Sequence, residues 1–83
     1  MKPVLGSSLQ GKKVVSQNGL DLGHVIDAHF ENTGELISLI VRPERETKDI
    51  VEYIDRNHLL SVPYKDVKAI GRYVVVEFPF STE

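Results

Sequence analysis

Residues 18–42 carry the clearest pattern of hydrophobic and polar positions in the chain. Two runs rich in β-branched residues, 24–31 and 35–42, flank a turn-forming tripeptide at 32–34. Alternating runs joined by a short glycine-containing turn are typical of a β-hairpin. The Asn-Gly pair at 18–19 indicates a second tight turn, before the first run. We therefore predict that a central hairpin organises the fold and that the remaining strands complete its sheet.

Alternation along this hairpin predicts which side chains meet the core. In the first strand, the face that we expect to be buried comprises His24, Ile26, Ala28 and Phe30. In the second strand, the corresponding face comprises Ile37, Leu39 and Val41. The second strand is apolar on its other face as well, through Leu36 and Ile40. We expect that other face to pack under another element or against a partner chain.

Four further strands are predicted from apolar runs bounded by turn-forming residues. They lie at residues 11–16, 59–62, 67–70 and 73–78. Gly23, within the first half of the hairpin, indicates a bulge or a bend. A short sheet needs such bends in order to close on itself. The predicted fold class is therefore mainly β, a small barrel of about six strands.

The segment before the fourth strand has a different pattern. Its less polar positions recur at helical spacing among charged residues, and they are Thr47, Ile50, Val51, Ile54 and His58. Glutamates that lie four positions before basic residues support a helix as well. We predict one amphipathic helix inserted around residues 44–57. The alternative is a charged loop followed by a strand at residues 49–54.

Length and composition predict one small domain over residues 1–83. The formal net charge of −2 provides no general attraction to nucleic acid or to anionic lipid. The sequence has no cysteine, which excludes disulfides and thiolate metal sites and suits a reducing compartment. Its apolar runs are shorter than a membrane span, and the apolar segment in its first residues is too short for a signal peptide, so we expect neither. We expect a cytoplasmic protein.

Several short motifs occur in a distinctive order along the chain. They are Leu9, Gly11, Lys12, Val14, Gly19, residues 22–27, 33–36 and 62–63, Val67, and residues 69–71 and 74–76. Together they resemble the PRC-barrel domain, which is named after the photosynthetic reaction-centre H subunit. The resemblance covers residues 8–78 and implies a small SH3-like barrel. The charged segment at 42–58 departs from the family pattern.

The resemblance also implies a kind of function. PRC-barrel domains form the C-terminal half of the ribosome-maturation factor RimM and occur alone in small archaeal proteins. Similarity to the stand-alone members implies a non-catalytic adaptor in cell division that contacts SepF, the membrane anchor of the tubulin-like division ring. The alternative is an accessory factor in RNA processing or ribosome maturation that acts through a ribosomal protein. In both cases we expect a protein partner, no direct nucleic-acid contact and no membrane insertion.

Few residues are candidates for chemistry. Asp27, His29 and Glu31 fall on one face of a predicted strand and offer ligand types that zinc or manganese accepts. A metal- or small-ligand-binding domain is therefore a third hypothesis, although we favour a solvated strand face. His24 and His58 occupy positions in the apolar pattern, where we expect partly buried, hydrogen-bonded imidazoles. The sequence has neither a nucleophile elbow nor a phosphate-binding glycine loop, so we expect neither an enzyme nor a cofactor.

Apolar residues on outer faces and near the C-terminus predict an interaction surface. The predicted interface residues are Leu36, Ile40, Tyr73, Val75, Phe78 and Phe80. The last strand, at residues 73–78, is expected to be a sheet edge, whose unpaired backbone groups can pair with another chain. We therefore predict a homodimer with this strand in or beside the interface.

Overall fold

The computed structural model describes residues 9–80 of the chain. Within these residues six strands form a single sheet in the order β4-β3-β2-β1-β6-β5. The strands are β1 (Lys13–Ser16), β2 (Asp21–Phe30), β3 (Leu36–Arg42), β4 (Leu60–Pro63), β5 (Val67–Ile70) and β6 (Val74–Val76). Neighbouring strands are antiparallel except for β1 and β6, which run parallel. Two 3-10 turns, Val51–Tyr53 and Tyr64–Asp66, precede β4 and β5.

The prediction of about six strands is confirmed, but the sheet is not a closed barrel. Its order ends at β4 on one side and at β5 on the other, and no ladder joins these two strands in the described part of the chain. They are nevertheless consecutive, since only the 3-10 turn Tyr64–Asp66 lies between them. The four Cα–Cα steps from Pro63 to Val67 span at most about 14 Å when fully extended. The two edges therefore lie close together, and the sheet curls around its core without closing.

The core lies on the inner face of this curled sheet. Every strand except β5 contributes fully buried side chains, and segments before β1, before β4 and after β6 add the rest. The buried hydrophobic residues are Leu9, Val14, Leu22, Val25, Leu39, Val41, Ile50, Leu60, Val62, Val74, Val76, Phe78 and Phe80. Because the two ends of the described chain both reach this cluster, residues 9 and 80 belong to one hydrophobic unit.

A bulge in β2 changes which of its side chains meet the core. Val25 pairs with Val41, and Ala28 pairs with Leu39, so β2 has one residue more than β3 between these pairs. The predicted buried face (His24, Ile26, Ala28 and Phe30) is therefore wrong in part. Val25 is only 3% exposed, Ala28 packs against the core, and Phe30 is 41% exposed.

A second bulge, in β3, has a similar effect at the far end of the hairpin. His29 pairs with Ser38 and Phe30 pairs with Leu36, so Ile37 is the extra residue. Leu36 thereby turns toward the core and packs against it. The prediction that Leu36 shares an outer face with Ile40 is wrong, because that prediction assumed unbroken alternation.

The predicted irregularity at Gly23 is confirmed. The register of β1 against β2 shifts between the pairs Val14–Gly23 and Val15–Asp21. Gly23 has a positive φ of 121°. A Cβ atom there would overlap the carbonyl oxygen of Arg42 and lie 2.7 Å from Pro43 Cα. Only glycine allows β2 to approach the end of β3 so closely.

The predicted helix at residues 44–57 is wrong, since this segment contains no α-helix. It is a charged loop with one 3-10 turn, Val51–Tyr53. The alternative prediction is correct for the loop and wrong for the strand, because only the isolated bridge between Ile54 and Leu60 forms there. Two glutamates of the loop are held by histidines. His24 Nδ1, on β2, lies 2.9 Å from Glu44, and His58 Nδ1, near the end of the same loop, lies 2.8 Å from Glu46. These tertiary contacts, with the burial of Ile50, outweigh helical propensity.

The last strand is not a sheet edge. β6 lies between β1 and β5 and is hydrogen-bonded to both. The strand is also shorter than the predicted range 73–78, since it covers only Val74–Val76. The edge on which the predicted homodimer depended therefore does not exist, because the backbone of β6 is already paired within the chain.

Substitution of Gly23 tests the close approach of β2 to β3. We expect Gly23→Ala to lower the free energy of unfolding by about 3 kcal/mol or more, from positive-φ strain combined with overlap against backbone atoms. Gly34→Ala is the matched control: its φ is 91°, and a Cβ there meets nothing within 4 Å. We expect the control to cost about 1 kcal/mol, from strain alone. Urea denaturation measures both, and equal losses would show that the approach at Gly23 is not tight.

Candidate interaction surface

Two of the predicted interface residues lie in the core instead. Phe78 is 7% exposed and Phe80 is 9% exposed. Both rings make edge-to-face contacts with Tyr53, at centroid distances of 5.1 and 5.3 Å, and with each other at 4.9 Å. The prediction that they form exposed apolar surface is wrong, because the chain after β6 folds back against the 3-10 turn that contains Tyr53.

Two other predicted residues, Tyr73 and Val75, do lie on the outer side of the sheet. Val75 is half-buried and pairs with Val15 on one side and with Ala69 on the other. Tyr73 is 50% exposed. Ile40, also half-buried, pairs with Ser61 and so lies near the β4 edge, with two strands between it and β6. The predicted interface residues therefore do not form one surface.

Ion pairs border the outer face around Val75. Lys13 Nζ lies 3.0 Å from Asp21, and Lys68 Nζ lies 3.1 Å from Glu77. The hydrogen bond to Asp21, and then the negative charge of that carboxylate, raise the pKa of Lys13 above its ordinary value. Lys13 is thus a paired cation next to this face. Because both lysines have partners within the chain, neither is a free cation that could attract an acidic ligand.

A different apolar surface lies at the end of the β2–β3 hairpin. Phe30, Ile37 and Tyr64 are 41%, 38% and 40% exposed. Phe30 pairs with Leu36. Pro63 pairs with Ser38, which brings Tyr64 to the same end of β3. We call Phe30, Leu36, Ile37 and Tyr64 the hairpin-end patch.

The sequence contained only a partial signal for this patch. Leu36 was predicted to face a partner, but Phe30 and Ile37 were assigned to the core by regular alternation. The bulge at Ile37 is what exposes that residue, and bulge positions depend on pairing with the neighbouring strand. Tyr64 follows a proline in a predicted turn, where an aromatic ring has no strand face to bury it. An aromatic residue in such a turn is the signal that could have indicated exposed surface.

Two carboxylates stand next to the hairpin-end patch. Glu31 N–H donates a hydrogen bond of 2.9 Å to the carbonyl oxygen of Glu35, so these residues face each other across the turn. Both are exposed. Neither forms an ion pair with any residue between 9 and 80. The tip of the hairpin is therefore an uncompensated negative site beside an apolar surface.

A shallow cleft of about 310 Å³ lies between the β1–β2 turn and the charged loop. It is lined by Leu20, Asp21, Glu44, Arg45 and Thr47. Its two carboxylates already have partners, since Asp21 pairs with Lys13 and Glu44 pairs with His24. The cleft is thus bordered by satisfied ion pairs and has no unpaired carboxylate to hold a cation.

The residues of the metal hypothesis are not brought together as a site. Across residues 9–80, no group of three or more histidine, aspartate or glutamate side chains is placed to hold a metal ion, and this includes Asp27, His29 and Glu31. Asp27 Oδ1 instead accepts a hydrogen bond of 2.8 Å from Ala28 N–H. Among the same residues, no helix is long and apolar enough to cross a membrane.

Substitution of aromatic residues tests the distinction between core and surface. We expect Phe78→Ala to lower the free energy of unfolding by about 3 kcal/mol, because it removes a buried ring from the aromatic cluster. Tyr73→Ala removes an exposed ring and should change stability by less than about 0.5 kcal/mol. Thermal and urea denaturation measure both changes. If Phe78→Ala does not fold, Phe78→Leu serves instead, with an expected loss of about 1 kcal/mol in the free energy of unfolding. A neutral Phe78→Ala variant would contradict the burial of this ring.

Comparison with known proteins identifies the family of this fold. The PRC-barrel domain family matches residues 1–82, which is essentially the whole chain. In a search of curated proteins, none matches the chain significantly. The match agrees with the six-stranded, mainly β architecture of the described residues. This chain belongs to the PRC-barrel domain family.

Proposed function

We propose that this chain is a non-catalytic protein-interaction module that binds a partner through the hairpin-end patch. The observation that carries the proposal is the exposure of Phe30, Ile37 and Tyr64 at one end of the sheet. Large apolar side chains grouped on the surface of a small domain favour a contact with another protein. Aromatic residues are also enriched in protein interfaces.

The contrast among the phenylalanines supports this assignment. The chain has three phenylalanines, and two of them, Phe78 and Phe80, are buried in the core. Phe30 lies on a strand that contributes to the same core, yet it is 41% exposed. Its neighbour Leu36 covers the core from the same end of the sheet. Phe30 is thus not needed to close the core, and its ring is available to a partner.

The resemblance to stand-alone archaeal PRC-barrel proteins suggests a finer proposal. In that proposal the module is an adaptor in cell division, and its partner is a SepF-like protein that anchors the division ring. If the resemblance to RimM is the more relevant one, the partner is a ribosomal protein. The third candidate partner is another copy of the same chain, since the predicted homodimer can form through this patch instead of through β6. The identity of the bound protein distinguishes these cases.

Site-specific photo-crosslinking in cells tests the proposed surface. The photoreactive phenylalanine derivative p-benzoylphenylalanine replaces Tyr64 in the patch or, as a matched control, Tyr73 on the outer face of the sheet. Both tyrosines are about equally exposed, at 40% and 50%, and both replacements keep an aromatic ring. We expect a discrete crosslinked adduct from position 64 and none from position 73. Mass spectrometry then identifies the partner, and an adduct of twice the chain mass indicates a second copy.

Binding of the identified partner provides the quantitative test. We expect Ile37→Ser to weaken the affinity about tenfold or more, because it removes apolar contact area from the patch. Val51→Ser is the control, since Val51 is 50% exposed but lies outside the patch, on the first 3-10 turn. An adduct from position 73 alone would place the interface on the outer face and refute the hairpin-end patch. If neither position yields an adduct, the interaction module itself is contradicted.

A further inference from the structure

The pair of glutamates at the hairpin tip limits the kind of partner that the patch can bind. Glu31 and Glu35 close the turn through the backbone hydrogen bond described above, so their side chains leave adjacent positions of the hairpin. Like charges opposite each other in an antiparallel pair repel and are unfavourable. Any neutral polar residue at these positions would avoid the repulsion. The fold alone therefore gives no reason for two carboxylates here.

The basic residues of the described chain do not compensate this charge. Lys12 donates to the carbonyl oxygen of Gly71, while Lys13 and Lys68 pair with carboxylates elsewhere on the sheet. Lys65, which follows Tyr64 in the chain, takes part in an interaction of its own. The negative site at the tip is thus open to cations supplied from outside.

The charged tip and the apolar patch adjoin each other. Glu31 directly follows Phe30, and Glu35 directly precedes Leu36. Phe30 and Leu36 are themselves paired across the hairpin. The exposed apolar residues and the two carboxylates therefore occupy the same end of the hairpin.

We propose that the partner of this surface is a protein segment in which apolar side chains are flanked by lysine or arginine. The apolar side chains contact Phe30, Ile37 and Tyr64, and the basic side chain lies between the carboxylates of Glu31 and Glu35. This inference rests on the proposed interaction function and adds to it the chemistry of the partner. An arginine suits the site best, because its planar guanidinium can donate to two carboxylates at once.

Fluorescence anisotropy with three labelled peptides of equal length tests this proposal on the full chain. The first, apolar–basic peptide combines leucine and phenylalanine with arginine and lysine. The second, apolar–acidic peptide has glutamate in place of the basic residues. The third, serine-containing basic peptide keeps the basic residues but has serine in place of the apolar ones. We expect the apolar–basic peptide to bind at least tenfold more tightly than either of the others. Raising the salt from about 0.05 to 0.5 M should weaken its binding, because rim charges are screened.

Variants of the chain locate the effect at the hairpin tip. We expect Glu31→Gln combined with Glu35→Gln to weaken binding of the apolar–basic peptide about tenfold. Reversing both charges, with Glu31→Lys and Glu35→Lys, should transfer the preference to the apolar–acidic peptide. Glu52→Gln is the matched control, because Glu52 is an exposed carboxylate outside the hairpin, and it should leave the affinity unchanged. All of these positions are exposed, so circular dichroism should show that the fold is kept.

Each other outcome overturns the proposal in a recognisable way. The apolar–acidic peptide could bind as tightly as the apolar–basic peptide, with binding of both lost in the Tyr64→Ser variant. This result would refute the cationic partner but would still support the interaction module. Equal binding of the serine-containing basic peptide would show non-specific attraction between charges. If no peptide binds, the predicted partner chemistry is wrong, whereas the interaction module is judged separately by crosslinking at position 64.

Discussion

The close approach of β2 to the end of β3 at Gly23 is the constraint on which the rest of this structure depends. With no Cβ atom, Gly23 can lie against the carbonyl group of Arg42, at a backbone angle that other residues rarely adopt. The contact coincides with the register shift of β2 against β1 and lies where the chain leaves β3. The loop that follows must therefore pass beside His24, the residue after Gly23, which holds Glu44 of that loop. One glycine thus couples the curl of the sheet to the course of the charged segment.

The strands and their connections could be predicted from the sequence because their signals are local. Gly19 and Gly34 have the positive φ angles that their turns require, and the run at Val74–Val76 forms a strand as its β-branched residues indicate. The faces of the hairpin could not be predicted, because each bulge is decided by the partner strand. The helix around residues 44–57 is wrong for a related reason. Its periodicity is real, but the contact of Glu44 with His24 and the burial of Ile50 depend on distant parts of the chain.

The candidate site was harder to predict than the fold. Phe78 and Phe80 look exposed as a tail after a strand, and only their packing against Tyr53, far away in sequence, shows that they close the core. Tyr73 was correctly expected on the surface, since it is half exposed. The hairpin-end patch requires three separate facts: the bulge at Ile37, the pairing of Phe30 with Leu36, and the position of Tyr64 after Pro63. The first two are not visible in a single segment, because they depend on the pairing of two strands.

The bulge at Ile37 links the core to the proposed interaction surface. With unbroken alternation, Ile37 would share the buried face of Leu39, and Leu36 would point outward. The extra residue instead turns Leu36 inward, where it packs on the core, and leaves Ile37 exposed at the same end of the hairpin as Phe30. The same local change that completes the end of the core therefore creates the apolar patch next to Glu31 and Glu35. The shared fold of the family does not specify a partner. In the proposed interaction, specificity comes from these hairpin residues, which can vary while the sheet is kept.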